Sequence, residues 1–284
     1  MKISEFLFLI LILYGISWYM NYCDYSDIKI PPKPNISKAI VVGATSGIGR
    51  QVAKVLAKNG YEVGLIGRRI NLLQSLQKEI STKTYIKQID VSVIDKAKKQ
   101  LEELIAQMGH LDLLFISVSA QGDLPFGKPT HAMSWDAVKK LIDVDLRGFW
   151  MAAYVGLKQF EKQGYGHLVG VSSIQKLQGF SGAPEYSGAK AFISKYLDGV
   201  RNRVIKDRLP IFVTEIIPGP VDVERQQYSQ VRGFFWVVSS KEAARQIYAG
   251  IKDKKEKVYV SKGWRFIAWL LYIMPDWLYR RFEG

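Results

Sequence analysis

This chain of 284 residues has one cysteine, Cys23, and three histidines, His110, His131 and His167. A single thiol excludes an internal disulfide framework and a cysteine-built metal site. The histidines show no ligand spacing, so no metal centre is expected. The chain is also short of acid: 26 Asp and Glu stand against 40 Lys and Arg, a formal net charge of +14. Such an excess suits nucleic acid, an anionic membrane surface or an anionic ligand. No basic block with interleaved aromatics marks a nucleic-acid groove, so no nucleic-acid partner is expected. Hydrophobic residues make up 48% of the chain, ample for a core. The length suits one large α/β domain with appendages.

One long apolar run is present. Phe6 to Met20 carries no charge, and Trp18, Tyr19 and Tyr22 lie at its end, as interfacial aromatics do. A spanning helix needs about 20 apolar residues, and extension to Cys23 brings the stretch close. A cleaved signal peptide is the rival reading, but no small-x-small cleavage site follows. The sequence thus divides into an expected membrane anchor at 1–23, a linker at 24–37, a domain at 38–262 and a tail at 263–284. Pro31, Pro32 and Pro34 stiffen the linker. Lys29, Lys33 and Lys38 follow the apolar run against Lys2 before it, which places the domain on the cytoplasmic side. The tail holds Trp264, Trp269 and Trp277 among arginines, and Pro275 breaks it. That is the composition of a helix lying in lipid headgroups. Packing of the tail on the domain is the other reading.

The domain opens with Ala39-Ile40-Val41-Val42, then Gly43-Ala44-Thr45-Ser46-Gly47-Ile48-Gly49-Arg50. Val52, Ala53, Val55, Leu56 and Ala57 follow at helical spacing. Strand, glycine-rich turn and helix bring backbone N–H groups and a positive dipole end to a phosphate. The spacing Gly-x-x-x-Gly-x-Gly differs from the usual dinucleotide fingerprint. Strands then alternate with helices, at Tyr61–Ile66, Thr84–Ile89, Leu111–Val118, His167–Val171, Ile211–Ile217 and Val258–Val260. This predicts a parallel sheet with helices on both faces.

At the end of the second strand an NAD site usually has an acid. Here Gly67 is followed by Arg68 and Arg69, whose guanidinium groups suit a 2′-phosphate, with Arg50 close by. Asp90, with Val91, ends the third strand, where a carboxylate can hold an adenine amino group or cap the next segment. Tyr186 and Lys190 are i and i+4 on one helix face. An ammonium beside a phenol lowers the phenol pKa and makes it a general acid/base. Ser173 arrives from a strand end to hold a substrate oxygen. A helical stretch from His131 to Gln163, with a break near Ser134, carries Asp145 and enough apolar surface to meet another subunit. Val221 to Ser240 reads as irregular and holds Phe234, Phe235 and Trp236, which suit either an apolar substrate or plain packing.

Over 38–262 the sequence resembles the short-chain dehydrogenase/reductase family. The matching pieces are the 43–49 turn, Asp90-Val91, Ser173, Tyr186-Ser187-Gly188-Ala189-Lys190 and Pro218-Gly219-Pro220-Val221. The resemblance implies a Rossmann-type doubly wound sheet of about seven strands in one domain. It implies NADP(H)-dependent redox between an alcohol and a carbonyl, in a homodimer or homotetramer. Tyr186 would exchange the proton, Lys190 would bind the nicotinamide ribose and tune Tyr186, and Ser173 would polarise the carbonyl. Pro218, Gly219 and Val221 would sit by the nicotinamide. The sequence departs from the family at Ile116-Ser117-Val118-Ser119, at Asp145, which stands where the family has a catalytic Asn, and within Asp222-Val223-Glu224. With the membrane segments, these features point to a lipophilic substrate such as a sterol, retinoid, sphingoid base or long-chain ketone. A catalytically impaired NADP(H)-binding regulatory or scaffold protein at a membrane is the alternative.

Overall fold

The computed structural model describes residues 31–283 except 33, 121–129, 225–227, 231–234 and 262. The expected anchor at 1–23, most of the linker and Phe234 lie outside the described residues. No helix among the described residues is long and apolar enough to cross a membrane.

Strands and helices alternate: β1 (Lys38–Val42), α1 (Gly47–Lys58), β2 (Glu62–Gly67), α2 (Ile70–Glu79), β3 (Thr84–Gln88), α3 (Ile94–Met108) and β4 (Leu113–Ile116). Next come α4 (Trp135–Leu141), a π-helical turn (Ile142–Gly148) and α5 (Phe149–Gln163), then β5 (Gly166–Val171), α6 (Pro184–Lys206) and β6 (Ile211–Pro218). The order ends with β7 (Val221–Asp222), β8 (Val238–Ser239), α7 (Ser240–Lys252), β9 (Lys257–Val260), α8 (Trp264–Ile273) and α9 (Asp276–Glu283). Seven parallel strands form one sheet in the order β3-β2-β1-β4-β5-β6-β9. The chain changes direction across the sheet between β1 and β4, which opens the crevice where such folds take ligands.

Both faces of the sheet are covered, so its central strands are apolar throughout. Side chains alternate between two cores. Ile40, Val42, Leu114 and Ile116 pack with Leu104, Phe149 and Leu197 on one face. Ala39, Val41, Leu113 and Phe115 pack with Val52, Leu73 and Ile247 on the other. Fully burying each larger side chain contributes about 1.5–3 kcal/mol.

Three local outcomes differ from the sequence reading. Ser134 marks a helix start, with its hydroxyl accepting the Ala137 N–H at 3.3 Å. The helix then runs to Gln163, widened into the π turn that carries Asp145. Gly148 lets that turn lie against Val91, since a Cβ there would come within 2.8 Å of Val91 Cγ2. The 221–240 stretch contains a parallel β7–β8 pair, Val221 with Val238 and Asp222 with Ser239. The tail packs on the domain by one side only. Trp264 lies on Gly219, Ala268 is buried, and Gln178 Nε2 donates to Leu271 O at 2.9 Å. Phe266, Tyr272, Ile273 and Trp277 remain exposed.

Candidate active site

The glycine turn is built by close approach. Gly43 has φ +93°, and a Cβ there would lie 2.3 Å from the Ser117 carbonyl oxygen. A Cβ on Gly49 would lie 2.2 Å from Gly43 O. The turn is tied to β2 by Gly43 N–H and Ala44 N–H, both donating to Ile66 O. α1 therefore starts directly above the ends of β1 and β4, with the amides of Gly47 and Ile48 at its N-terminus.

Arg69 reaches across from the end of β2. Its Nη2 donates to Thr45 Oγ1 and Ser46 Oγ, each at 2.8 Å. Gly67 keeps the crossing open, because a Cβ there would lie 2.4 Å from Thr45 Cγ2. A guanidinium held at two hydroxyls beside a helix N-terminus suits a phosphate. Arg50 is brought elsewhere, to Leu72 O, Ser75 and Glu79 along α2. Arg68 gives its carbonyl to Gln88 Nε2 at 2.8 Å. Asp90 Oδ1 accepts both the Ser92 amide and the Ser92 hydroxyl, so that oxygen is engaged in a local turn. Val91 is buried against Gly148. Pro218 ends β6, Val221 begins β7, and Gly219 lies under the Trp264 ring.

Ser173, Tyr186, Lys190 and Asp145 come together at the C-terminal edge of the sheet. β5 delivers Ser173, whose hydroxyl accepts the Gln175 amide at 3.2 Å and hydrogen-bonds Tyr186. α6 carries Tyr186 and Lys190 one turn apart, with Lys190 Nζ 5.2 Å from the Tyr186 ring centroid. Lys190 Nζ also lies 3.3 Å from Asp145 Oδ2 and 3.5 Å from Val171 O. Asp145 Oδ1 accepts the Ala120 amide at 2.6 Å, one residue past the departure at 116–119.

The expected lowering of the Tyr186 pKa is reversed. Burial of the phenol pushes its pKa up, the Asp145 charge pushes it further, and the Ser173 hydrogen bond only partly opposes them. The Lys190 ammonium faces the Asp145 carboxylate, and its charge is answered there. Tyr228 also belongs to the site and was not singled out from sequence. Burial and its neighbour Tyr186 push its phenol up to about 12. Only its place in the 221–240 stretch could have signalled it.

The half-exposed Phe235 and Trp236 pack edge to face, 5.1 Å between centroids. Phe235 stacks on Trp264 at 5.2 Å. Trp264 Nε1 donates to Phe235 O at 3.2 Å. This cluster stands over Gly219 at the end of β6.

The sequence model of short chain dehydrogenases matches residues 37–232. An uncharacterized oxidoreductase of Myxococcus xanthus is 34% identical over 191 residues, covering 66% of this chain and 72% of that protein. Among solved structures, an alcohol dehydrogenase from the archaeon Thermococcus sibiricus, complexed with 5-hydroxy-NADP, superposes with a TM-score of 0.66 at 20% identity, covering 85% of this chain and all of that one. A bulky-bulky ketone specific alcohol dehydrogenase from Comamonas testosteroni gives a TM-score of 0.68 at 17% identity, covering 86% of this chain and 96% of that one. With its glycine turn, seven-stranded parallel sheet and Ser173–Tyr186–Lys190 cluster, this chain belongs to the short-chain dehydrogenase/reductase family of oxidoreductases.

Proposed function

We propose that the chain is an NADP(H)-dependent carbonyl reductase acting on a lipophilic ketone at a membrane. The observation that carries this reading is the convergence of the Tyr186 phenol, the Ser173 hydroxyl and the Lys190 ammonium beside the glycine turn. Arg69 at Thr45 and Ser46 suits the 2′-phosphate of NADP(H), and the α1 amides suit its diphosphate. Bound there, NADPH supplies the hydride. Ser173 holds the substrate oxygen and Tyr186 protonates it. Lys190 holds the nicotinamide ribose. A phenol whose pKa is raised stays protonated at neutral pH, the form that donates the proton in reduction.

Phe235, Trp236 and Trp264 form an apolar lip at the end of β6, which favours an apolar substrate. The 1–23 segment anchors the chain, with the domain on the cytoplasmic side. Phe266, Tyr272, Ile273 and Trp277 on the outer side of the tail, near Arg280 and Arg281, meet lipid headgroups. Trp150 and Tyr154, exposed on α5, offer a face to a second copy in a homodimer or homotetramer. The Asp145–Lys190 pair favours a second reading, a cofactor-binding protein with little turnover.

The test follows NADPH absorbance in detergent with a panel of lipophilic ketones, using wild type beside Tyr186→Phe. Oxidation by wild type that drops about 100-fold or more in the variant is expected. Equal inertness of both, with NADPH still bound, would leave only the second reading.

A further inference from the structure

α1 begins at Gly47, and its N-cap residue Ser46 gives its own side chain to no helix amide. The cap comes from far along the chain. Gly47 N–H donates to Glu224 Oε2 at 2.8 Å. The segment carrying Glu224 is held in place on both sides. Val221 and Asp222 pair with Val238 and Ser239. The Asp222 carboxylate accepts the Ser229 amide and hydroxyl. Val223 packs so closely on Gly47 that a Cβ at Gly47 would lie 3.1 Å from Val223 Cγ1.

The first amides of a helix and its positive dipole end attract anions. A dinucleotide held at this turn needs them for its diphosphate. A carboxylate and a diphosphate repel each other, and one N–H cannot serve both fully. We propose that Glu224 is an internal competitor for the diphosphate subsite at Gly47, weakening cofactor binding and giving way when NADP(H) binds. The inference rests on the NADP(H) reading above. Glu224 is exposed, so its side chain can swing into water without leaving a buried charge behind. A competitor of this kind sets affinity without choosing between nucleotides, because NADPH and NADH carry the same diphosphate. Arg69 at Thr45 and Ser46 acts on the 2′-phosphate, which only one of them has.

The experiment titrates the full chain, in detergent, with NADPH and with NADH and follows nicotinamide fluorescence. Wild type is compared with Glu224→Gln and Glu224→Ala. Both variants should lower the Kd for both nucleotides by about three- to tenfold, leaving the NADPH to NADH preference unchanged. An unchanged or raised Kd in the variants, with wild type binding normally, overturns the competitor role and leaves the cofactor reading standing. A drop confined to NADPH also overturns it, since Glu224 would then act at the 2′-phosphate. If no form binds either nucleotide, the cofactor reading falls and the competitor with it.

Discussion

Asp145 Oδ2 lies 3.3 Å from Lys190 Nζ, and both side chains are buried. The pair ties the π turn to α6 directly beneath Tyr186. Burial raises the Tyr186 pKa most, and the Asp145 charge adds to that rise. Asp145→Asn keeps the volume and can still accept the Ala120 amide while removing the charge. The Tyr186 pKa should therefore fall. In reduction Tyr186 works protonated, so the alkaline falling limb of kcat should move to lower pH. In oxidation it works as the phenolate, so the rising limb should also move to lower pH and the rate near neutrality should increase. Each pKa unit of displacement corresponds to about 1.4 kcal/mol. Profiles in both directions check this, and limbs that stay in place would mean the Asp145 charge does not govern Tyr186.

A second buried pair stands behind Ser173. Glu215 Oε1 lies 2.6 Å from Lys176 Nζ and accepts the Ser172 hydroxyl at 2.6 Å, and Lys176 Nζ donates to Ser194 Oγ at 2.8 Å. Glu215 is fully buried. Lys176→Met leaves its carboxylate without a counter-charge, an expected loss of about 3–5 kcal/mol. The double variant Lys176→Met with Glu215→Met should recover most of that loss, because no lone charge remains. Urea denaturation reads both. A single-variant loss below about 1 kcal/mol would class the pair with exposed ones.

Two glycines with positive φ separate strain from collision. Gly60 has φ +87° and nothing within 4 Å of an added Cβ, whereas at Gly43, with φ +93°, the Cβ would lie 2.3 Å from Ser117 O. Gly60→Ala should cost about 1–2 kcal/mol from backbone strain alone and leave NADPH binding intact. Gly43→Ala must also displace the 117–120 segment that Asp145 holds, so it should lose NADPH binding as well. Thermal melts and NADPH titrations compare them. Equal damage at both positions would deny the close approach its part.

Much of this was readable in the sequence because it is local or periodic. The glycine turn, the seven main strands and the i, i+4 relation of Tyr186 and Lys190 follow from spacing alone. The rest joins residues far apart in the chain. Spacing does not disclose that Glu224 caps α1 or that Glu215 meets Lys176. Gly148, at the end of the π turn, lies close on the distant Val91, and a helical period over 135–163 conceals both the turn and the contact. The direction of the Tyr186 shift depends on burial and on where Lys190 finds its counter-charge, and neither is a sequence property.

The two arginines nearest the glycine turn illustrate the same limit and can be told apart by experiment. Sequence puts Arg68 and Arg69 at a 2′-phosphate and leaves Arg50 close enough to help. The structure sends the Arg50 guanidinium along α2 to Glu79 and Ser75, and brings Arg69 to Thr45 and Ser46. A charged hydrogen bond contributes about 1.5–3 kcal/mol, so Arg69→Ala should weaken NADPH binding by about ten- to 100-fold and leave NADH binding nearly unchanged. Arg50→Ala gives up a pairing with the partly exposed Glu79, worth less than about 1 kcal/mol, and should leave the NADPH to NADH ratio where it was. Paired titrations of both variants decide the matter. If Arg50→Ala, and not Arg69→Ala, abolished the preference, the guanidinium that meets the phosphate would have to be the one now bound to α2.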